Sequence, residues 1–144
     1  MERPASIQRF EQFYWAHIVL GLVGSAVALW LLPDPRLSQI SGGMGGLVGA
    51  VSGVFIAVAV ATQILLWYLI ARRGNLLAKY VLAGLTALNL IGAAMGVIGT
   101  VSGAAGASPV ALIVSLASSA CLVAAVAMLY RPDTTPWFRE AEPA

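Results

Sequence analysis

A single cysteine, a single histidine and six acidic residues in 144 positions exclude more functions than any motif in the chain suggests. One Cys121 inside an apolar run rules out an internal disulfide and any cysteine metal cluster. One histidine and one cysteine fall short of the three or four ligands that a zinc or copper site takes. No Asp or Glu lies inside any long apolar run, so an exporter that couples transport to protons or cations through a buried carboxylate has no group to carry the charge. Alternating apolar and polar positions, the mark of strands and β-barrels, are missing as well. No nucleophile elbow is found, and the glycines at 42–46 follow no strand, so phosphate cradling is not expected there. Ser118 and Ser119 have no base within sequence reach and are expected to bond back to their own helix.

Apolar sequence is what the chain has in quantity. Hydrophobic residues make up 60% and charged residues 10%, and the mean hydropathy is +0.89. A soluble globule of this size needs more polar surface than that, so an integral membrane protein is expected. The net charge of +2 does not point to nucleic acid, because the basic residues stand singly or in pairs beside apolar runs and form no basic face. The amino-terminal stretch has charges on both sides of Pro4 and no small-residue cleavage site, so the first apolar run is read as retained.

A bilayer core of roughly 30 Å takes about 20 helical residues. Measured against that length, the uncharged runs give four spans, near 13–32, 47–71, 78–102 and 109–130. The run from 80 to 130 is too long for one crossing and breaks at Gly103-Ala-Ala-Gly-Ala-Ser-Pro109, with Ser108 read as an N-cap and Pro109 as the first helical residue. The expected fold is all-α: one membrane domain over 1–144, an antiparallel four-helix bundle with amino- and carboxyl-terminal tails.

Orientation follows from the basic residues. Arg3, Arg9, Arg72, Arg73, Lys79, Arg131 and Arg139 fall on one side and Arg36 alone on the other, which puts both termini in the cytoplasm. The organising corner is Arg72-Arg73-Gly74-Asn75 with Lys79, set between two apolar helices. Phe13, Tyr14, Trp15, Trp67, Tyr68, Tyr80, Tyr130, Trp137 and Phe138 lie near that side and are read as interfacial anchors, with Trp30 alone at the far one.

Helices in lipid associate through small residues and a few polar contacts. The second helix carries Gly45, Gly49, Gly53, Ala57 and Ala61 four apart. The third carries Asn89, Gly92, Gly96, Gly99 and Gly103, the first His17, Gly21, Gly24 and Ala28, and the fourth Ala111, Ser115 and Ser118. Each helix is expected to turn this smooth face to a neighbour, so that Gly53→Leu lowers stability far more than Leu66→Ile.

Three polar side chains stand at membrane depth: His17, Gln63 and Asn89. At 1.5 Å per residue they lie about 9, 12 and 15 Å inside the basic end of their helices. Gln63 is two heptads from Gly49 and so shares the small-residue face, as His17 and Asn89 share theirs. Together they are expected to form one polar layer in the cytoplasmic half, either a hydrogen-bond clamp or a ligand contact. No cofactor is expected; axial ligation of a haem or pigment by His17 is the one option the sequence leaves.

Phe10-Glu-Gln-Phe-Tyr-Trp15, Ile64-Leu-Leu-Trp-Tyr-Leu-Ile-Ala-Arg-Arg-Gly74 with Ala78-Lys79-Tyr80, and Met128-Leu-Tyr-Arg-Pro-Asp-Thr-Thr-Pro-Trp-Phe138 resemble segments of small uncharacterised four-helix inner-membrane proteins of bacteria. The resemblance implies a fold and a location but no activity. Size is also similar to small multidrug exporters, whose membrane-embedded glutamate the first helix lacks, and to bacterial fluoride channels, whose phenylalanine-rich polar tracks are missing around Asn89. The expected role is a non-catalytic structural or accessory subunit of a larger membrane assembly, with the bilayer and a membrane protein or a second copy as partners. The alternative is a small oligomeric channel or transporter for a neutral or weakly polar solute.

Overall fold

The structure is a computed structural model that describes residues 4–27, 45–102 and 109–139. These residues are helical, with no strand among them. The helices are α1 (Ala5–Ala26), α2 (Gly45–Ala71), α3 (Leu76–Val101), α4 (Pro109–Leu129) and the short α5 (Thr135–Arg139), preceded by a 3-10 turn at Pro132–Thr134. Three stretches, Ala50–Ala71, Leu76–Val101 and Pro109–Leu129, are long and apolar enough to cross a membrane. The described part of α1 is more polar, and residues 28–32 of its expected span lie outside the described residues. Ser108, the expected N-cap of α4, lies outside them too; Pro109 opens that helix.

α1 begins eight residues before the expected position. Pro4, extended at ψ 144°, accepts from the Ile7 and Gln8 amides at 3.0 and 3.3 Å, and a proline needs no amide donor at a helix start. The charged positions of this first stretch are tolerated because its apolar residues recur at helical spacing: Ile7, Phe10, Tyr14, His17 and Ile18 are all buried. The turn between α2 and α3 is built by two local devices. Gly74 adopts φ 57°, and its amide and that of Asn75 return to Ile70 and Leu69 carbonyls at 3.2 and 2.9 Å, closing α2 at a position that favours glycine. The Asn75 side chain then accepts from the Ala78 amide at 3.0 Å and opens α3.

The core gathers at the end that carries the basic corner. Ile7, Phe10 and Tyr14 of α1, Ile70 and Ala71 of α2, Leu82 of α3, Ala125 and Leu129 of α4, and Phe138 of α5 form one buried cluster. The longest interface is α1 against α4, followed by α3 against α4, with α2 joined more lightly to α1 and α3. The residues after α4 fold back over this end. Trp137 Nε1 donates to the Ile70 carbonyl at 3.1 Å, Thr134 Oγ1 donates to the Leu129 carbonyl at 2.9 Å, and Phe138 enters the core.

Two sequence expectations change here. Tyr14 and Phe138, read as interfacial anchors, are core residues, because the return of α5 and the stripe of α1 enclose them. The small-residue faces also divide. In α1 a Cβ on Gly24 would sit 3.3 Å from Val114 Cγ1, and one on Gly21 3.9 Å from Ser118 Oγ. Gly53 of α2 and Gly92 and Gly96 of α3 have no described atom within 4 Å of such a Cβ; the buried contacts of α2 and α3 come from Leu66, Ile70, Ala71, Ala78 and Leu82 near the basic end. Gly99 is half-buried; the surroundings of Gly45 and Gly49 lie outside the described residues. The stability contrast therefore reverses. Leu66, 6% exposed, is expected to cost about 2–5 kcal/mol as Leu66→Ala, while Gly53→Leu leaves the protomer's melting in detergent close to unchanged.

Candidate functional site

α1 turns His17 inward one turn beyond Tyr14, where α2 and α4 pass on either side. His17 Nδ1 lies 3.0 Å from the Ser118 carbonyl oxygen, an atom that only accepts, so Nδ1 carries the proton. Nε2 is then the accepting nitrogen, and Gln63 Nε2 donates to it across 3.2 Å. This bond fixes the orientation of the Gln63 amide, because only its nitrogen can donate to Nε2. Ser118 Oγ stands 2.8 Å from His17 Nδ1 and donates to the His17 carbonyl at 3.1 Å. On the next residue of α4, Ser119 Oγ donates to Asn89 Oδ1 at 2.8 Å. Tyr14 closes the lower side, its hydroxyl donating to the Gln63 carbonyl at 3.1 Å.

The layer therefore reads Gln63, His17, Ser118, then Ser119, Asn89, and it draws on all four long helices. His17 and Gln63 meet directly. Asn89 does not reach them; it joins through the Ser118–Ser119 pair, and its residue stands at an exposed position. The two serines are what sequence reasoning missed. Back-bonding to the residue four before occurs at Ser25, Thr62, Thr86 and Thr100, whereas Ser118 and Ser119 bond across helices. The available signal was the seam of Ala111, Ser115 and Ser118, but sequence carries no register between α1 and α4, whose residues here are 101 positions apart.

The imidazole nitrogen facing the hydroxyl holds a proton, and the hydroxyl proton is directed to a carbonyl, so no proton acceptor is presented to Ser118 Oγ. Both imidazole nitrogens are engaged, so an axial metal would have to displace Gln63 from Nε2.

Around this layer the helices leave space. A cleft of about 370 Å³ lies between α1, α3 and α4, bordered by His17, Gly24, Asn89, Ser115 and Ser119. A second, of about 270 Å³, lies on the other side of Asn89, with Tyr14, Gln63, Leu82, Leu85 and Leu122 in its walls. Among the described residues no Asp, Glu, Lys or Arg lines either cleft.

The basic corner is ordered by aromatic rings. Arg72 lies 5.6 Å from the Trp67 ring centre, Arg73 5.8 Å from that of Tyr68, and Lys79 Nζ 4.3 and 4.9 Å from those of Tyr130 and Phe138. Trp67 also meets Trp15 edge to face at 5.5 Å. Tyr80 is exposed, at 58%, and Trp137 is half-buried by its bond to α2. Beside this corner the Ser6 hydroxyl donates to Asp133 at 2.5 Å from Oδ2 and 2.7 Å from Oδ1, and its amide lies 3.4 Å from Oδ2. These bonds hold the Asp133 carboxyl below its ordinary value of 3.8. A carboxyl depressed in the folded state stabilises it above the unfolded value and loses that contribution as pH falls through the folded one. Ser6→Ala is expected to flatten the dependence of melting temperature on pH below about 4, the ordinary carboxylate range, and to leave it unchanged at pH 7–8.

No family model matches the chain, and no curated protein or solved structure is similar to it. The resemblance to small bacterial inner-membrane proteins thus rests on the three quoted segments.

Proposed function

We propose that the protein is a four-helix integral protein of a bacterial inner membrane, with both termini cytoplasmic, and that it serves as a non-catalytic subunit of a larger membrane assembly. The observation that carries this reading is how the uncharged polar cluster around His17 spends its groups. His17, Gln63, Ser118, Ser119 and Asn89 bond mainly to one another across four helices, as an interhelical clamp does and as a reaction centre does not. Exposed apolar side chains along the rest of α2 and α3, such as Phe55 at 73% and Leu88 at 65%, suit lipid or another membrane helix. Basic residues and aromatic rings gathered at one end suit a cytoplasmic interface. The seven-to-one division of Lys and Arg supplies the orientation.

A second reading, a small oligomeric channel or transporter for a neutral solute, draws on the two uncharged clefts. Purification in mild detergent separates the two. A larger partner at fixed stoichiometry is the expected result, and a stable homo-oligomer without one overturns the subunit reading in favour of transport.

A further inference from the structure

We propose that the cleft of about 270 Å³ between the four long helices binds the neutral, carbonyl-bearing head of an amphiphile. The inference rests on the membrane reading and adds a ligand to it.

Hydrogen-bonding capacity decides the class. Tyr14, His17, Leu66, Leu82 and Leu122 form a buried floor, while Ala59 and Thr62 of α2 and Leu85 and Asn89 of α3 are exposed at the mouth. The opening therefore faces sideways between α2 and α3, where a tail could pass into lipid. Two amides line it with donors to spare. Asn89 accepts from Ser119 through Oδ1, which leaves both hydrogens of Nδ2 uncommitted. Gln63 Nε2 gives one hydrogen to His17 and keeps the other, so the uncommitted amide hydrogens, three in all, outnumber the one amide oxygen, Gln63 Oε1, that accepts from no described donor. The remaining hydroxyls direct their protons elsewhere, Tyr14 to the Gln63 carbonyl and Thr62 to the Val58 carbonyl. Amide hydrogens without a partner are costly away from water, and a carbonyl oxygen, with two lone pairs and no proton, is the group that relieves them. With no charged residue among the described residues of the walls, an ionic head is disfavoured by desolvation. The volume lies just under the range of about 300–1,000 Å³ typical of drug-sized ligands, which fits one ring or one ester group and leaves the tail outside.

A quinone ring and a lipid ester both present such a carbonyl, and one experiment covers both. The full chain in an ester-free maltoside detergent is melted with decylubiquinone, with decylbenzene as a ring and tail lacking carbonyls, with an uncharged diacylglycerol, and with its dialkyl ether analogue. The expected result is a saturable rise in melting temperature with decylubiquinone but not decylbenzene, which names a quinone head, or with the diester but not the ether lipid, which names a lipid ester. In either case Asn89→Leu should weaken the apparent affinity by about tenfold, the loss of one or two hydrogen bonds. Leu85→Trp, which fills the mouth without removing a polar group, should abolish the shift and decides the matter if Asn89→Leu does not fold. Equal shifts from carbonyl and carbonyl-free compounds, no shift from any, or a shift that Leu85→Trp leaves intact overturns the proposal. Retention of the untreated chain in membranes after alkaline washing tests the membrane reading separately.

Discussion

Phe138→Ala is expected to lower stability in detergent by about 3–5 kcal/mol, the range for emptying a buried phenylalanine site. The residue comes after the last long helix, where a solvated tail would tolerate such a change. Instead its side chain is 4% exposed, belongs to the same buried cluster as Ile70, Ala71 and Leu129, and covers one side of Lys79. The neighbouring Trp137 is pinned to the Ile70 carbonyl, so the backbone cannot easily collapse into the vacated space. Trp137→Phe keeps most of the ring and loses only the bond, for which about 0.5–1.5 kcal/mol is expected. Thermal melting of both variants beside the wild type checks the ordering; a Phe138→Ala protein that melts with the wild type would mean that the terminal helix does not complete the core.

His17→Leu is the second large effect. It removes the contacts to Ser118 and Gln63 while keeping an apolar side chain of similar reach. Measured couplings of this kind inside membranes average about 0.6 kcal/mol per contact, but here the Gln63 amide loses its imidazole acceptor at low polarity, which raises the cost to about 1–3 kcal/mol for that stranded group, while the Ser118 carbonyl, inside α4, keeps its intrahelical bond. A double-mutant cycle with Gln63→Leu separates the two contributions. A coupling of about 0.5–3 kcal/mol is expected for residues in one network; strictly additive changes would show that the two side chains act independently. The companion cycle between Asn89→Leu and His17→Leu should couple more weakly, because Asn89 enters the layer through Ser119 alone.

What sequence could show of this protein follows from which information is local. The ends of α2, α3 and α4 were legible within two residues because Gly74, Asn75 and Pro109 act on their own neighbours. That His17 and Gln63 lie at one level was legible because helical rise is constant, and the two side chains do meet. The rotation of one helix against another is not local. The glycine faces of α2 and α3 were therefore assigned neighbours that Gly53, Gly92 and Gly96 do not have among the described residues. Ser118 and Ser119 were given a local role for the same reason. The early start of α1 was concealed by Arg9 and Glu11, which end an uncharged run without ending a helix. α5 was hidden by its brevity, since five residues carry too little periodicity to be read.

The interface between α1 and α4 has a consequence for biosynthesis. Of the described helices α1 leaves the ribosome before α4, and their contacts span about a hundred residues, His17 to Ser118 among them. Until α4 emerges, α1 carries an imidazole with no serine to receive it, and Phe10 and Tyr14 lack their α4 cover, so the nascent chain passes through a stage in which α1 is only partly satisfied. Non-local closure of this kind is slow and leaves surfaces open to wrong partners. A membrane insertase or chaperone that shelters one amphipathic helix while three more are made would find its client in α1.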